Sequence, residues 1–320
     1  MKKILITGYN GFVSRHFISY LEQKNIKSEI LGIDINRSDT DYSNFKNIIT
    51  SFSQLDLLER DRLENLIYSF QPDYILHLAS YSSVGFSWKN PSLSFRNNIN
   101  IFLNLMEVIR EVNPSCRILS IGSSEEYGNA ASGKMPLKEG YPLNPVSPYA
   151  VARVSQEQLS KVYCDGYDLD VVMTRSFNHL GPGQKDIFVI SSFAKQLVEI
   201  KKGIKKEKKL TTGDISIVRD FLDVRDVVDA YYRLFTDGAK GEVYNICSGN
   251  GISLREVIDI MCGILDIQID FETDSNLIRP NDNKIIIGTN EKLKAATGWV
   301  QKIKLKKSLE DIISYWEQKI

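Results

Sequence analysis

Apolar runs of strand length alternate with amphipathic stretches of helix length through the first half of the chain. KKILIT (2–7) is a short apolar run, and FVSRHFISYLEQ (12–23) follows with apolar positions three and four residues apart. The alternation continues with SEILGID and NIITSF as strands and RDRLENLIYSF as a helix. DYILHLAS is then a strand, SFRNNINIFLNLMEVIREV a long helix, CRILSIGSS a strand, PYAVARVSQEQLSKVYCDGY a helix and DLDVVMTRSF a strand. Strands that are apolar on both faces and separated by helices predict a parallel sheet covered on both sides. After residue 177, loops rich in Gly, Pro and Asn break the rhythm: NHLGPGQ, TTGDISIV, CSGNGISL and IRPNDN. The pattern predicts an α/β chain, a Rossmann-type doubly wound parallel sheet with a smaller C-terminal lobe.

Composition narrows the function classes. The 320 residues carry 40 basic and 40 acidic side chains, so no general attraction to nucleic acid or to a membrane follows. The apolar run after MKK stops at Thr7-Gly8, short of the roughly 7–15 residues of a secretory core. No stretch approaches the roughly 18–20 apolar residues of a membrane span. Cys116, Cys164, Cys247 and Cys262 form no close pair and no metal-ligand spacing, which fits reduced thiols in the cytoplasm and no bound metal. His77 reads as a core histidine of a buried strand. His179 and Trp88 sit in loops where they are candidates to touch a ligand. KKGIKKEKK (201–209) reads as a solvated helix end.

TGYNGFVS follows the first strand and opens the first helix. Gly8 and Gly11 stand where the backbone must turn tightly and approach a pyrophosphate. Asn10, Phe12 and Val13 complete the turn, and the helix N-terminus offers free N–H groups and a favourable dipole. Ser14 takes the place of a third glycine and is expected to loosen helix–sheet packing slightly. Asp34 ends the second strand, where a carboxylate binds the ribose hydroxyls of NAD and repels the 2′-phosphate of NADP. Arg37, three residues on, would attract that phosphate. NAD is favoured, with NADP open. Residues 1–176 with about 224–246 are the expected dinucleotide-binding part, and 177–223 with 247–320 the substrate-binding lobe.

SPYAVAR places Tyr149 four residues before Arg153, on one helical face. With the glycine turn, Asp34, LHLAS, SIGSSEEYG and SPYAVAR in this order, the chain resembles the extended short-chain dehydrogenase/reductases that act on nucleotide sugars. SYSSVGFSWKNP, SFNHLGPGQ and RDFLDVRDVVDAY look most like enzymes of GDP-linked 6-deoxy-4-keto sugars, in particular reductases that form GDP-D-rhamnose. The resemblance implies roles by position. Asp56 and Leu57 flank the adenine, and Leu78, Ala79 and Ser80 lie under the cofactor. Asn98 steadies the sheet, and Ser176 with Phe177 meets the nicotinamide amide. Ser123 holds the sugar's reacting oxygen, and Tyr149 is the catalytic tyrosine. Ser124 and Glu125 are further catalytic candidates. Arg153 stands where the family has lysine. Ser83, Ser123, Ser124, Glu125, Asn178, Val189, Lys195, Arg219, Arg279 and Asp282 fall at positions facing the sugar nucleotide. A homodimer through the helices around 95–111 and 149–163 is also implied.

Reduction of a keto sugar requires a proton at the carbonyl oxygen as charge develops there. A phenol is a poor proton shuttle near neutral pH unless a cation stands close by. Arginine keeps that positive charge but is bulkier, forked and permanently ionised. Glu125 in SSEEYG lies where related dehydratases carry a base, so a dehydratase or epimerase that recycles its NAD(P) stays open. A non-catalytic dinucleotide-binding protein is the remaining alternative. Glu126 is expected to face solvent or cap a turn.

Overall fold

The computed structural model describes residues 1–129, 135–278 and 283–320. Its first half contains β1 (Lys2–Thr7), α1 (Phe12–Gln23), β2 (Ser28–Asp34), β3 (Ile48–Gln54), α2 (Arg60–Phe70) and β4 (Tyr74–His77). It continues with α3 (Val84–Lys89), α4 (Pro91–Val112), β5 (Arg117–Ser123), α5 (Pro148–Tyr167) and β6 (Asp170–Ser176). The second half supplies β7 (Asn178–Leu180), α6 (Val189–Lys201), β8 (Lys209–Thr212), β9 (Val218–Asp223), α7 (Val224–Asp237) and β10 (Val243–Ile246). The last elements are β11 (Gly251–Ser253), α8 (Leu254–Leu265), β12 (Asp270–Thr273), β13 (Ile285–Ile286), α9 (Glu291–Thr297) and α10 (Leu305–Lys319).

Among the described residues the largest sheet has seven strands in the order β3-β2-β1-β4-β5-β6-β10. Every pairing in it is parallel. The strand order reverses between β1 and β4, the switch point at which ligands of such sheets bind. Side-chain alternation explains the two covered faces. Ile4, Ile6, Leu76, Leu119 and Ile121 pack with Phe17, Ile18 and Leu21 of α1 and Val227, Tyr231 and Leu234 of α7. Leu5, Ile75 and Ile118 point the other way, onto Leu63 and Ile67 of α2, Phe102 and Leu105 of α4, and Tyr163 of α5. A separate core joins Leu197 and Val198 of α6 to Val257, Ile258 and Met261 of α8 and Leu309, Ile312 and Ile313 of α10. Two small sheets, β11-β9-β13 with β7 on β9, and β12-β8, belong to this half.

The structure departs from the sequence pattern in two places near the switch point. DYILHLAS is not a strand throughout: β4 stops at His77, and the amides of Leu78 and Ala79 both donate to Thr7 Oγ1 at 3.2 Å, with Leu78 N also donating to Thr7 O. The loop around Trp88 contains a helical turn, α3, whose first turn is capped by Ser83 Oγ accepting from Phe86 N at 3.1 Å. Trp88 rides on that helix at 37% exposure.

Candidate active site

The carboxyl ends of β1, β2, β4, β5 and β6 place Thr7, Asp34, His77, Ser123 and Ser176 along one edge of the sheet. At the first of these edges the chain turns at Gly8, with φ +70°, and enters α1 through Gly11. A Cβ at Gly8 would lie 2.9 Å from Ala79 N, and one at Gly11 would lie 2.9 Å from Gly8 O. α1 begins without a side-chain cap and without an acidic residue in its first turn. Its leading amides are therefore left for an anion. Ser14 is fully buried, and its hydroxyl has no hydrogen-bond partner. Asp34 is held in place by two amides, Asn10 N at 3.1 Å and Asn36 N at 3.0 Å. Asn10 Nδ2 in turn donates to the carbonyls of Asn36 and Arg37. Uncapped amides, a turn that side chains would fill and a fixed carboxylate 24 residues beyond Asn10 fit a dinucleotide.

Deeper along the edge, α5 starts at Pro148 with Ser147 Oγ accepting from Ala150 N at 3.1 Å. One turn in, Arg153 Nε donates to the Tyr149 hydroxyl at 3.2 Å. Arg153 Nη1 donates to Ile121 O at 2.9 Å and to Gln156 Oε1 at 2.6 Å, and Nη2 donates to Ser80 Oγ. The guanidinium is buried, and all four of these acceptors are neutral. Its charge is felt at His77, whose imidazole is held down to about 3 by burial and then by Arg153. His77 Nδ1 pairs with Thr7 Oγ1 at 2.9 Å, while Nε2 has no partner, so His77 is a core histidine satisfied on one side only.

Ser123 ends β5 in register with Ser176 of β6. Its Oγ accepts from Glu125 N at 3.2 Å. Ser176 Oγ pairs with the Tyr231 hydroxyl at 2.7 Å, and Phe177 is buried beside Tyr127 and Cys247. Ser124 is buried and Glu125 half-buried. Glu126 does not face solvent. It is fully buried, because its Oε1 turns back to accept from Ser123 N at 2.6 Å and closes a capping box.

The other expected positions fall around this edge. Asn98 Oδ1 accepts from Tyr81 N at 2.8 Å and fixes the segment after β4. Asp56 Oδ1 accepts from Leu58 N, and Asn104 Nδ2 donates to Leu57 O. Asn178 begins β7, opposite Phe221. Val189 is the first residue of α6. Lys195 pairs with Asp186 at 2.7 Å. Arg219 on β9 is buried and donates to Asn283 O at 2.7 Å. Arg279 and Asp282 lie outside the described residues. His179 packs on Phe12 with ring centroids 6.5 Å apart, its Nδ1 buried without a partner. The sequence pattern does not mark Gln156, Thr7, Glu157 or Arg175 as parts of the site, and it does not show that Glu126 joins Glu157 and Arg175 in the core. The one signal in the sequence is a glutamine three residues after Arg153, on the same face of the helix.

A doubly wound sheet with a glycine turn after β1 and a Tyr-x-x-x-Arg helix beside β5 defines an extended short-chain dehydrogenase/reductase. The chain belongs to the family described as GDP-mannose 4,6 dehydratase, whose model matches residues 5–312. It is 33% identical to the GDP-6-deoxy-D-mannose reductase of Pseudomonas aeruginosa, over 100% of this chain and 98% of that one. The structure of RMD from Pseudomonas aeruginosa complexed with NADPH superposes with a TM-score of 0.86 at 32% identity, covering 100% of both chains. UDP-glucose 4-epimerase of Thermus thermophilus, complexed with NAD, superposes with a TM-score of 0.84 at 25% identity, over 99% of this chain and 100% of that one. The expected Rossmann fold and the expected class of nucleotide-sugar oxidoreductase both hold.

Proposed function

We propose that the protein reduces the 4-keto group of a GDP-4-keto-6-deoxy sugar, in the assembly of a deoxysugar of the GDP-rhamnose type. The observation that carries this reading is the Tyr149–Arg153 contact at the carboxyl edge of β5, in a chain one-third identical to a GDP-6-deoxy-D-mannose reductase along its full length. A nicotinamide dinucleotide held at the Gly8–Gly11 turn would supply the hydride. Tyr149 gives the carbonyl oxygen its proton, Ser123 orients that oxygen, and the buried Arg153 charge stabilises the phenol oxygen as its proton leaves. Ser124 and Glu125 line the same turn. A dehydratase or epimerase is the second reading, favoured by Glu125 standing beside Ser123.

NAD is the preferred dinucleotide in this proposal, because Asp34 is locked by two amides at the end of β2. Gly8, Asn10, Gly11, Phe12 and Val13 take the pyrophosphate. Residues 1–176 with about 224–246 bind the dinucleotide, and 177–223 with 247–320 bind the sugar nucleotide. The phosphates and base are held by Arg219, Lys195 and the Val189 end of α6, with Arg279 and Asp282. A cytoplasmic homodimer completes the reading. Phe95 and Leu103 of α4 and Val151 and Val162 of α5 are exposed apolar residues on the two helices that would pair. Among the described residues no helix is long and apolar enough to cross a membrane.

The test mixes purified protein with NADH or NADPH and GDP-4-keto-6-deoxy-D-mannose. Cofactor oxidation is expected, and Tyr149→Phe lowers kcat by roughly 10²–10⁴-fold. No oxidation with keto sugars linked to GDP, dTDP, UDP or CDP sinks the reductase reading. Turnover of a non-keto sugar nucleotide with no net cofactor change selects the second one.

A further inference from the structure

The residues that hold Ser123 form a buried ionic group that the proposed mechanism does not use. Glu126 Oε1 accepts from Ser123 N at 2.6 Å, while Oε2 has no hydrogen-bond partner among the described residues. Strand β5 makes room for this carboxyl, since a Cβ at Gly122 would lie 2.4 Å from Oε1. The nearest cation is committed elsewhere. Arg175 forks onto Glu157 with two bonds of 2.8 Å, and its Nη1 donates to Glu139 O at 2.9 Å. Arg175 Nε stands 3.9 Å from Glu126 Oε2, beyond hydrogen-bond range. Among the described residues the other charged or titratable groups facing the cluster are few. Lys161 reaches Glu157 at 3.7 Å from a partly exposed face of α5. The Glu139 carboxylate accepts from Asn245 N. The Tyr127 ring lies 4.7 Å below the Arg175 guanidinium. Glu125 precedes Glu126 on the same turn.

Two carboxylates therefore share one buried guanidinium, and Glu157 has it. An ionised Glu126 would leave a charged oxygen unpartnered in the core, beside a second carboxylate, an arrangement that burial strongly disfavours. A proton on Oε2 removes the charge and turns that atom into a donor toward Glu157. The cluster joins the three elements that carry the site. Ser123 ends β5, Glu157 lies one turn beyond Arg153 on α5, and Arg175 directly precedes Ser176 on β6.

We propose that Glu126 is a neutral acid in the working enzyme and the positioning residue for Ser123, and that its ionisation releases the end of β5. The electrostatics agree with the geometry. Burial, and then the Glu157 charge, push Glu126 well above the ordinary carboxylate range. For Glu157 burial also pulls upward, but the Arg175 fork and its charge prevail and hold it below that range. A folded value raised above the unfolded 4.5 makes Glu126 favour the fold below that pH. The benefit is lost as pH rises through the folded value.

The positioning role rests on the reductase reading, but the protonation state does not. Infrared difference spectra of the full chain against Glu126→Gln report it without turnover. The expected result is a protonated-carboxyl band in the wild type at neutral pH, absent from Glu126→Gln and lost on alkaline titration. Glu126→Gln keeps both the acceptor and the neutral charge. It is therefore expected to flatten the alkaline fall of the denaturation midpoint and the alkaline limb of kcat/KM for the sugar nucleotide. Absence of the band in the wild type at neutral pH overturns the proposal, and so does an alkaline limb unchanged in Glu126→Gln. If the wild type turns over no keto sugar, the reductase reading fails while the band and the midpoint still decide the state of Glu126.

Discussion

Arg153 Nε donates to the hydroxyl of Tyr149 at 3.2 Å, and the rest of the guanidinium is spread over Ile121 O, Gln156 Oε1 and Ser80 Oγ. A lysine ammonium has three donors and no fork, so it cannot serve four acceptors in these directions. Arg153→Lys keeps the charge and leaves at least one buried acceptor short, at about 1–3 kcal/mol. The expected outcome is a lower denaturation midpoint and a kcat/KM reduced roughly 5–150-fold, with residual activity. Steady-state kinetics with a urea titration check it. Unchanged rate and cofactor affinity would mean that the four-acceptor cradle contributes nothing.

Asn10 N and Asn36 N both donate to the Asp34 carboxylate and hold it at the end of β2, which is the basis of the proposed preference for NAD. Asp34→Ser removes the repulsion of a 2′-phosphate and leaves Arg37 nearby. The ratio of kcat/KM for NADH to that for NADPH is expected to fall about tenfold, equivalent to about 1.4 kcal/mol. An unchanged ratio assigns the choice to other residues.

Gly8 combines a φ of +70° with a Cβ position 2.9 Å from Ala79 N. Gly8→Ala meets a left-handed penalty of about 1–2 kcal/mol, and the turn must also move away from β4. Dinucleotide binding, followed by titration calorimetry, is expected to weaken at least tenfold, and thermal stability to drop with it. Gly11 has an ordinary negative φ. Gly11→Ala therefore carries no left-handed penalty, only the contact with Gly8 O.

Two buried imidazoles make the fold acid-sensitive. Burial holds His77 down to about 3 and His179 down to about 4, against 6.5 for the ordinary group. The unfolded chain therefore binds protons that the folded chain refuses. The stability each neutral ring provides is present above about pH 6.5 and is lost as pH falls toward the folded values, by at most about 1.4 kcal/mol per pH unit for each ring. Urea midpoints measured from pH 7 to 4 should fall steeply for the wild type and less steeply for His77→Gln. Parallel slopes would contradict the assignment.

Local signals and long-range ones were unequally legible. The helix of Tyr149 has the bounds of PYAVARVSQEQLSKVYCDGY because Ser147 caps it, Pro148 opens it and Asp168 leaves it in a left-handed turn. Each of those causes lies within a few residues of its effect, as does the close turn at Gly8. β4 is shorter than DYILHLAS because Thr7, 70 residues away from His77 in sequence, meets the amides that follow His77 with its side chain. The cradle of Arg153 is illegible for the same reason, since Ser80 follows β4 and Ile121 lies in β5, both far from Arg153 in sequence. Glu126 caps the turn, one of its two expected roles, but its full burial is not legible in a turn sequence and follows from the space that Gly122 leaves for its carboxyl.

The cysteines are all free, and three are buried. Burial also raises the thiols of Cys116 and Cys247, which slows their reaction with oxidants and alkylating reagents. Cys262, on α8 among the helices that pack with α6 and α10, is the one that solvent reaches in part. Burial raises the Cys262 thiol as well, so its partial exposure alone sets it apart as an attachment point for a fluorophore. A label there watches the second half of the molecule when a sugar nucleotide arrives, while the Tyr149 helix is left untouched.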